Sequence, residues 1–428
     1  MSLPGRLNTF QRSMLLWDEM HAYNAVHVAR VAASLDATRL RGVLAKVLAD
    51  RGLTGLHMDA KGRAFEFRGG AAVIDLAVCE GVEARETLRA ETERQINLRF
   101  DHTAEFTPFR FFAVPDGDSF WLGTTYFHAI ADAEPIVRLA CDFIAEYAGV
   151  PAPRARWNCH GGGGRRAPMR LLMWLRKLLA LPAQFRALRK AIRPGCTDAD
   201  DFGNGLELFT LGSAELSALI TTGKKLGVTV NDLFLALLMW SFAPLCEAVR
   251  RDGRDRISLG CIVNARRDLG ITGDDSFGLV LGGFSVACGI AETGDLPQLA
   301  RSIAAQTRRY KSGGLHLANA LEMGLVLRLM SLFSTNQRRR FYPKNYPLWG
   351  GLTNMNLTHL PGDAAARPQD YLRAVSTGPV TPLVLSVTSF GSGVNLSMSY
   401  RTSVFSREEI ATVRGRFTAA VRGLEAAV

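Results

Sequence analysis

The sequence predicts a mixed α/β protein of two domains or two pseudo-repeated halves. Strand-like and helix-like periodicities alternate along both halves of the 428 residues, and each half contains a strand hairpin. A stretch of different composition, residues 151–200, lies between them. The expected division is therefore 1–150, a connector at 151–200, and 201–428. With 47% apolar and 21% charged residues, the chain has the balance of a globular protein with a large core.

In the first half, Asn24–Ser34 is rich in β-branched and small apolar residues and reads as a strand. Asp36–Asp50 carries Leu40, Val43, Leu44, Val47 and Leu48 at helical spacing, with Asp36 as N-cap. Arg63–Phe67 and Ala72–Val78 read as short strands, and Glu83–Leu98 as a charged helix. Phe109–Pro115 and Ser119–His128 form a predicted hairpin across the turn Asp116-Gly117-Asp118. A helix over Glu134–Tyr147 presents Ile136, Leu139, Ala140, Phe143 and Tyr147 on one face and stops near Gly149.

The connector opens with Pro and Arg, passes Gly161–Gly164, and continues as a basic amphipathic stretch that Pro182 kinks or splits. Eleven Lys/Arg and no Asp or Glu fall between Arg154 and Arg193, so this segment carries the whole net charge of +11. Positive charge confined to one segment argues against a nucleic-acid partner, which needs basic residues from several elements. The segment 165–193 has three readings: an apolar face packed on the protein, a contact with an anionic membrane surface, or a dock for an acidic carrier protein. Gly161–Gly164 lacks the Lys-Ser/Thr of a phosphate loop.

The second half reads as a strand at Leu206–Leu211, a helix from Ser213, and a helix entered at Thr229 and Asp232 with capping-box-like spacing. Strands follow at Ile257–Val263 and Leu279–Ala287, then helices at Pro297–Tyr310 and Asn319–Leu332. Strands at Leu352–Leu357, Leu383–Phe390 and Val394–Tyr400 precede a last helix, Arg407–Leu424. No apolar run reaches 18 residues; Leu233–Leu245 is interrupted by Ser241 and Pro244, so a membrane span is not expected. Asp18 and Glu19 fall where a secretory signal would be apolar. The seven cysteines lack CxxC or zinc spacing and read as buried free thiols of a cytoplasmic protein, which is peripheral to a membrane on the membrane-surface reading of 165–193. His21 and His27 read as structural or surface residues, and no metal site is expected.

The segment Tyr126-Phe127-His128-Ala129-Ile130-Ala131-Asp132-Ala133 carries the chemistry. Phe120, Leu122, Thr124, Tyr126 and His128 share one strand face, so His128 ends a largely apolar row where its imidazole should be neutral and able to accept a proton. The alternative is a core histidine followed by a helix-capping aspartate.

The order of elements and several motifs resemble the chloramphenicol acetyltransferase-like, thioester-dependent acyltransferases. These include peptide-synthetase condensation domains, plant alcohol acyltransferases and polyketide-associated acyltransferases. Their His-His-x-x-x-Asp-Gly motif is matched by His128 and Asp132, with Phe127 in place of the first His and Ala133 in place of the Gly. Phe100-Asp101 with Pro108-Phe109-Arg110 is similar to the family's lead-in strand. Gly227-Val228-Thr229-Val230-Asn231-Asp232 resembles its "Gly-Val-Thr-x-Asn-Asp" helix entry. Val263-Asn264-Ala265-Arg266 is similar to its "Val-x-x-Arg" strand end, and Thr353-Asn354 to its "Ser-Asn" segment. Asp201-Phe202-Gly203-Asn204-Gly205 echoes a motif of the plant branch but lies mid-chain, and is read as coincidence.

The resemblance implies two similar domains of mixed sheets flanked by helices, with an active-site tunnel between them. It implies His128 as general base, Asp132 paired with Arg266 as a structural ion pair, and Asn354 or Thr353 as donor to the oxyanion. The donor would be acyl-CoA or an acyl-phosphopantetheine on an acyl or peptidyl carrier protein, the acceptor a small-molecule hydroxyl or amine, with no bound cofactor and a monomeric chain. Absence of a G-x-S-x-G elbow accords with direct transfer. Two rivals are a non-catalytic relative that binds a carrier protein, and a membrane-surface protein using 165–193.

Overall fold

A computed structural model describes residues 2–59, 61–150, 156–159, 189–271, 276–314, 323–324, 326–360 and 366–424. The chain forms two compact units whose segments interleave. The first comprises Met1–Gly164, Asn264–Leu281 and Leu357–Ser376; the second comprises Arg165–Val263, Gly282–Asn356 and Thr377–Val428. The linear division expected at 150 and 200 therefore misses two segments of later sequence that belong to the first unit. One reason is strand pairing: β14 (Asp370–Val375) hydrogen-bonds antiparallel to β2 (Asn24–Val31). Most of the expected connector, and with it the basic stretch 165–193 up to residue 188, lies outside the described residues, as does part of the expected helix Asn319–Leu332.

The first unit is built on a five-stranded sheet in the order β14-β2-β7-β6-β5, where β5 is Leu76–Val78, β6 is Phe109–Asp116 and β7 is Ser119–Phe127. The expected hairpin is present, with Asp116 facing Ser119 across the turn and Gly117 at φ 62°. All nine residues of β7 are buried, so this strand is covered on both faces and shows no polar alternation. Gly123 is required here. A Cβ at that position would stand 2.1 Å from the ring of Phe112 on the neighbouring strand.

Helices α2 (Ala37–Arg51), α3 (Ala84–Asn97) and α4 (Ala133–Ala148) flank this sheet. Asp36 caps α2 as expected, its side chain accepting from the Arg39 N–H at 2.9 Å. Several elements had no signal in the sequence reading, among them β1 (Leu3–Arg6) and α1 (Thr9–Asp18). The latter starts on a reciprocal Asn8–Gln11 capping box.

The second unit holds a six-stranded sheet in the order β12-β10-β13-β15-β16-β9. These strands are β9 (Asn204–Leu211), β10 (Arg256–Asn264), β12 (Leu281–Gly289), β13 (Gly350–Asn356), β15 (Leu383–Phe390) and β16 (Gly393–Arg401). The helix Val230–Ala248 opens on the Thr229–Asp232 capping box and is long and apolar enough to cross a membrane by length and composition. Residues Leu233–Met239 and Phe242 are nonetheless buried in the core of this unit. Asp232 also accepts from the Thr307 hydroxyl at 2.7 Å, fixing the helix Leu296–Ser312 to the same cap. The Asp201–Gly205 segment forms the turn into β9, and its Asn204 side chain accepts from both the N–H and the hydroxyl of Thr377 at 2.7 Å.

The seven cysteines are unpaired. Cys246, Cys261 and Cys288 are buried, Cys79, Cys141 and Cys159 half-buried, and Cys196 exposed, so burial holds for fewer of them than expected.

Candidate active site

Strand β7 ends at Phe127, and the chain turns through His128–Ala131 into α4. This turn is held from three directions. The His128 N–H donates to the Tyr23 carbonyl at 3.3 Å, the Gln11 side chain donates to the Ala129 carbonyl at 2.8 Å, and the Asp132 N–H donates to the Gly278 carbonyl at 3.2 Å. Residues 129–132 are buried, so the loop has little freedom.

His128 is half-buried. Its Nδ1 lies 3.1 Å from the carbonyl oxygen of Ala131. A carbonyl can only accept, so Nδ1 carries the proton and Nε2 presents a lone pair. The ring is held between two tyrosines: Tyr23 lies parallel to it at 5.6 Å (13°), and Tyr126 stands edge-on at 5.6 Å (82°). Burial pushes the imidazole down to about 4; the Arg373 guanidinium acts in the same direction and the bond to Ala131 opposes both. A neutral imidazole at physiological pH follows.

Asp132 has a different position. It is 2% exposed and caps α4 by accepting from the Glu134 N–H at 3.1 Å. It also accepts from Val280 N–H at 2.8 Å and from Arg266 Nε and Nη2, each at 3.2 Å. Arg266 is itself buried and donates further to the Gly278 carbonyl (2.7 Å) and the Ser276 hydroxyl (2.9 Å). The structure thus brings Asp132 and Arg266 together and ties 264–281 to the motif loop. Burial raises the Asp132 carboxyl above its ordinary value, while Arg266 and the Val280 and Glu134 N–H groups pull it back.

The row containing His128 is less apolar than β7 alone suggests. Across the ladder Thr124 faces His27, and His27 faces Arg373. Both are buried. His27 Nδ1 lies 2.6 Å from the Tyr371 hydroxyl, and its ring stands edge-on to Tyr126 at 5.5 Å. Burial drives the His27 imidazole well below its ordinary value, with Arg373 and then His128 adding to the effect. A buried polar layer therefore lies behind His128. The sequence reading missed Arg373; an arginine inside the apolar run Tyr371–Val375 was the available signal.

Phe127, where the resembled motif has its first histidine, contacts the rings of Phe100, Phe106 and His102. His102 Nε2 lies 3.2 Å from the Asp18 carboxylate, which is 1% exposed and also accepts from the Tyr23 N–H at 2.9 Å. The Asp18 bond raises the His102 imidazole above its ordinary value, against the opposing effect of burial. A histidine raised in this way stabilises the fold fully below its unfolded value near 6.5, and loses that contribution as pH rises through its folded value. Wild type is therefore expected to lose more stability than His102→Gln between mildly acidic and alkaline pH. Denaturant midpoints across that range check this; parallel curves would refute it.

Ala133 opens α4 and is partly exposed. Thr353 and Asn354 lie on β13 of the second unit, half-buried and exposed respectively. His21 bonds Asn97 at 3.0 Å. Among the described residues no group of three His, Cys, Asp or Glu side chains is placed to hold a metal ion. A cavity of about 240 Å³ in the second unit, bordered by Leu226, Leu233, Trp240, Leu296 and Leu424, has no titratable side chain in its lining.

No protein-family model matches the sequence, and no curated protein matches it. Solved structures do. The epimerization domain from the third module of tyrocidine synthetase B superposes with TM-score 0.66 at 14% identity, covering 99% of this chain and 96% of that one. The EpoB cyclization-docking bidomain of Sorangium cellulosum gives 0.67 at 14%, covering 98% and 84%. The condensation domain of the monacolin K polyketide synthase gives 0.62 at 12%, covering 99% and 97%. The fold is that of these condensation-type domains, the chloramphenicol acetyltransferase-like architecture. Neighbours named for condensation, cyclization and epimerization share it, so the fold alone does not select a reaction.

Proposed function

We propose that this protein is an acyltransferase that moves an acyl group from a thioester to a hydroxyl or amine, with Nε2 of His128 as general base. The donor is acyl-CoA or an acyl chain on the phosphopantetheine arm of a carrier protein. One observation carries the reading: Nδ1 of His128 is committed to the Ala131 carbonyl, which leaves Nε2 as the basic nitrogen of a neutral ring.

The acceptor O–H or N–H gives its proton to Nε2 as the nucleophile adds to the thioester carbonyl. The tetrahedral intermediate then collapses, the C–S bond breaks, and the imidazolium returns the proton to the departing thiolate. The new ester or amide and the free thiol balance the reaction, and the enzyme ends as it began. Asp132 is a positioning residue in this scheme, because its oxygens are occupied by Arg266, Val280 and Glu134.

The test is acceptor-dependent thiol release from a panel of acyl-CoAs and acyl-carrier thioesters, each offered with alcohols and amines. Release with the CoA series alone, or the carrier series alone, assigns the donor. Donor binding without release from either series would favour a non-catalytic binding protein and overturn the proposal.

A further inference from the structure

Tyr23 is fixed at both ends of its own peptide unit. Its N–H donates to the buried Asp18 carboxylate at 2.9 Å, and its carbonyl accepts from the His128 N–H at 3.3 Å. Its ring is pressed between Trp17, edge-on at 5.3 Å, and the parallel face of His128 at 5.6 Å. Backbone and ring together leave this side chain little freedom relative to the imidazole.

The phenol itself is unused. The described residues give the Tyr23 hydroxyl no hydrogen-bond partner, and it is not among the buried polar atoms sealed off from solvent. The residue is half-buried, and the ring that bears this hydroxyl is the one lying parallel to His128. Tyr371, in contrast, spends its hydroxyl on His27, and Tyr147 spends its hydroxyl on Ser34 and Asp36. A rigid ring with an uncommitted donor beside a committed base is the arrangement expected of a group reserved for substrate.

We propose that Tyr23 is a catalytic residue whose hydroxyl donates a hydrogen bond to the thioester carbonyl oxygen as it becomes the oxyanion. This rests on the acyl-transfer reading of His128. The phenol suits the task because burial raises it above its ordinary value, so it remains a neutral donor at every working pH. A neutral donor beside a neutral base also avoids the like-charge repulsion that a cationic donor would impose on the imidazolium formed during transfer.

The test is Tyr23→Phe, which keeps the stacked ring and removes one oxygen. In the thiol-release assay kcat is expected to fall about 100-fold, the loss typical of one oxyanion donor, with KM for donor and acceptor changed less than about threefold. The melting temperature is expected to match wild type. Unchanged kcat would reduce Tyr23 to a packing residue and overturn the proposal, as would a raised KM with intact kcat. His128→Ala run beside it separates the two claims. If His128→Ala retains full activity, the reading of His128 fails; if it is inactive while Tyr23→Phe is not, only the Tyr23 role fails. An inactive wild type refutes both.

Discussion

Replacing His128 with alanine is expected to reduce thioester-dependent acyl transfer by about 10²–10⁴-fold, the range of a positioned general base, while leaving a folded protein. The surrounding loop is held chiefly by backbone groups and by Asp132, not by the imidazole, so the effect falls on kcat. The pH profile carries the same information with its sign. Because His128 is held down to about 4, wild-type activity should stay level as pH falls through 6.5 and decline only as it approaches the lower value. Stability follows the same sign: a histidine buried neutral costs the fold progressively between 6.5 and about 4. His128→Gln should therefore unfold at lower pH than wild type. An acidic limb centred near 6.5 would mean an ordinary, solvated imidazole.

The largest loss of stability is expected from Arg266. Changing it to methionine strands the Asp132 carboxylate at 2% exposure with only its two backbone N–H donors. Breaking a buried pair from one side costs about 3–5 kcal/mol, readable in urea unfolding. The Asp132→Asn change should cost less, since an amide oxygen still accepts from Arg266 and from the backbone. Equal, small losses from both would place the ion pair outside the stability of the first unit. A fall in donor affinity without a fall in stability would assign Asp132 to substrate.

What could be read from the sequence was local. The β6–β7 hairpin announced itself through Asp116-Gly117-Asp118, α2 through Asp36, and the helix at Val230 through Thr229 and Asp232, because each signal lies within a turn of the element it starts. The approach of Arg266 to Asp132 was foreseen only through resemblance, since no local pattern connects them. The surroundings of His128 were illegible for the same reason. Tyr23, His27 and Arg373 reach it through the pairing of β2 with β7 and β14, and register between distant strands leaves no periodic trace. β14 joins the first unit from late in the sequence, which no linear division could anticipate.

The claim on which the account depends is the tautomer of one ring. In protein labelled with ¹⁵N in its histidines, a long-range proton–nitrogen correlation spectrum near neutral pH reads it directly, with the His128 signals assigned by their loss in His128→Gln. The account predicts a neutral ring with a protonated Nδ1 and an unprotonated Nε2. A protonated Nε2, alone or in an imidazolium, would contradict it.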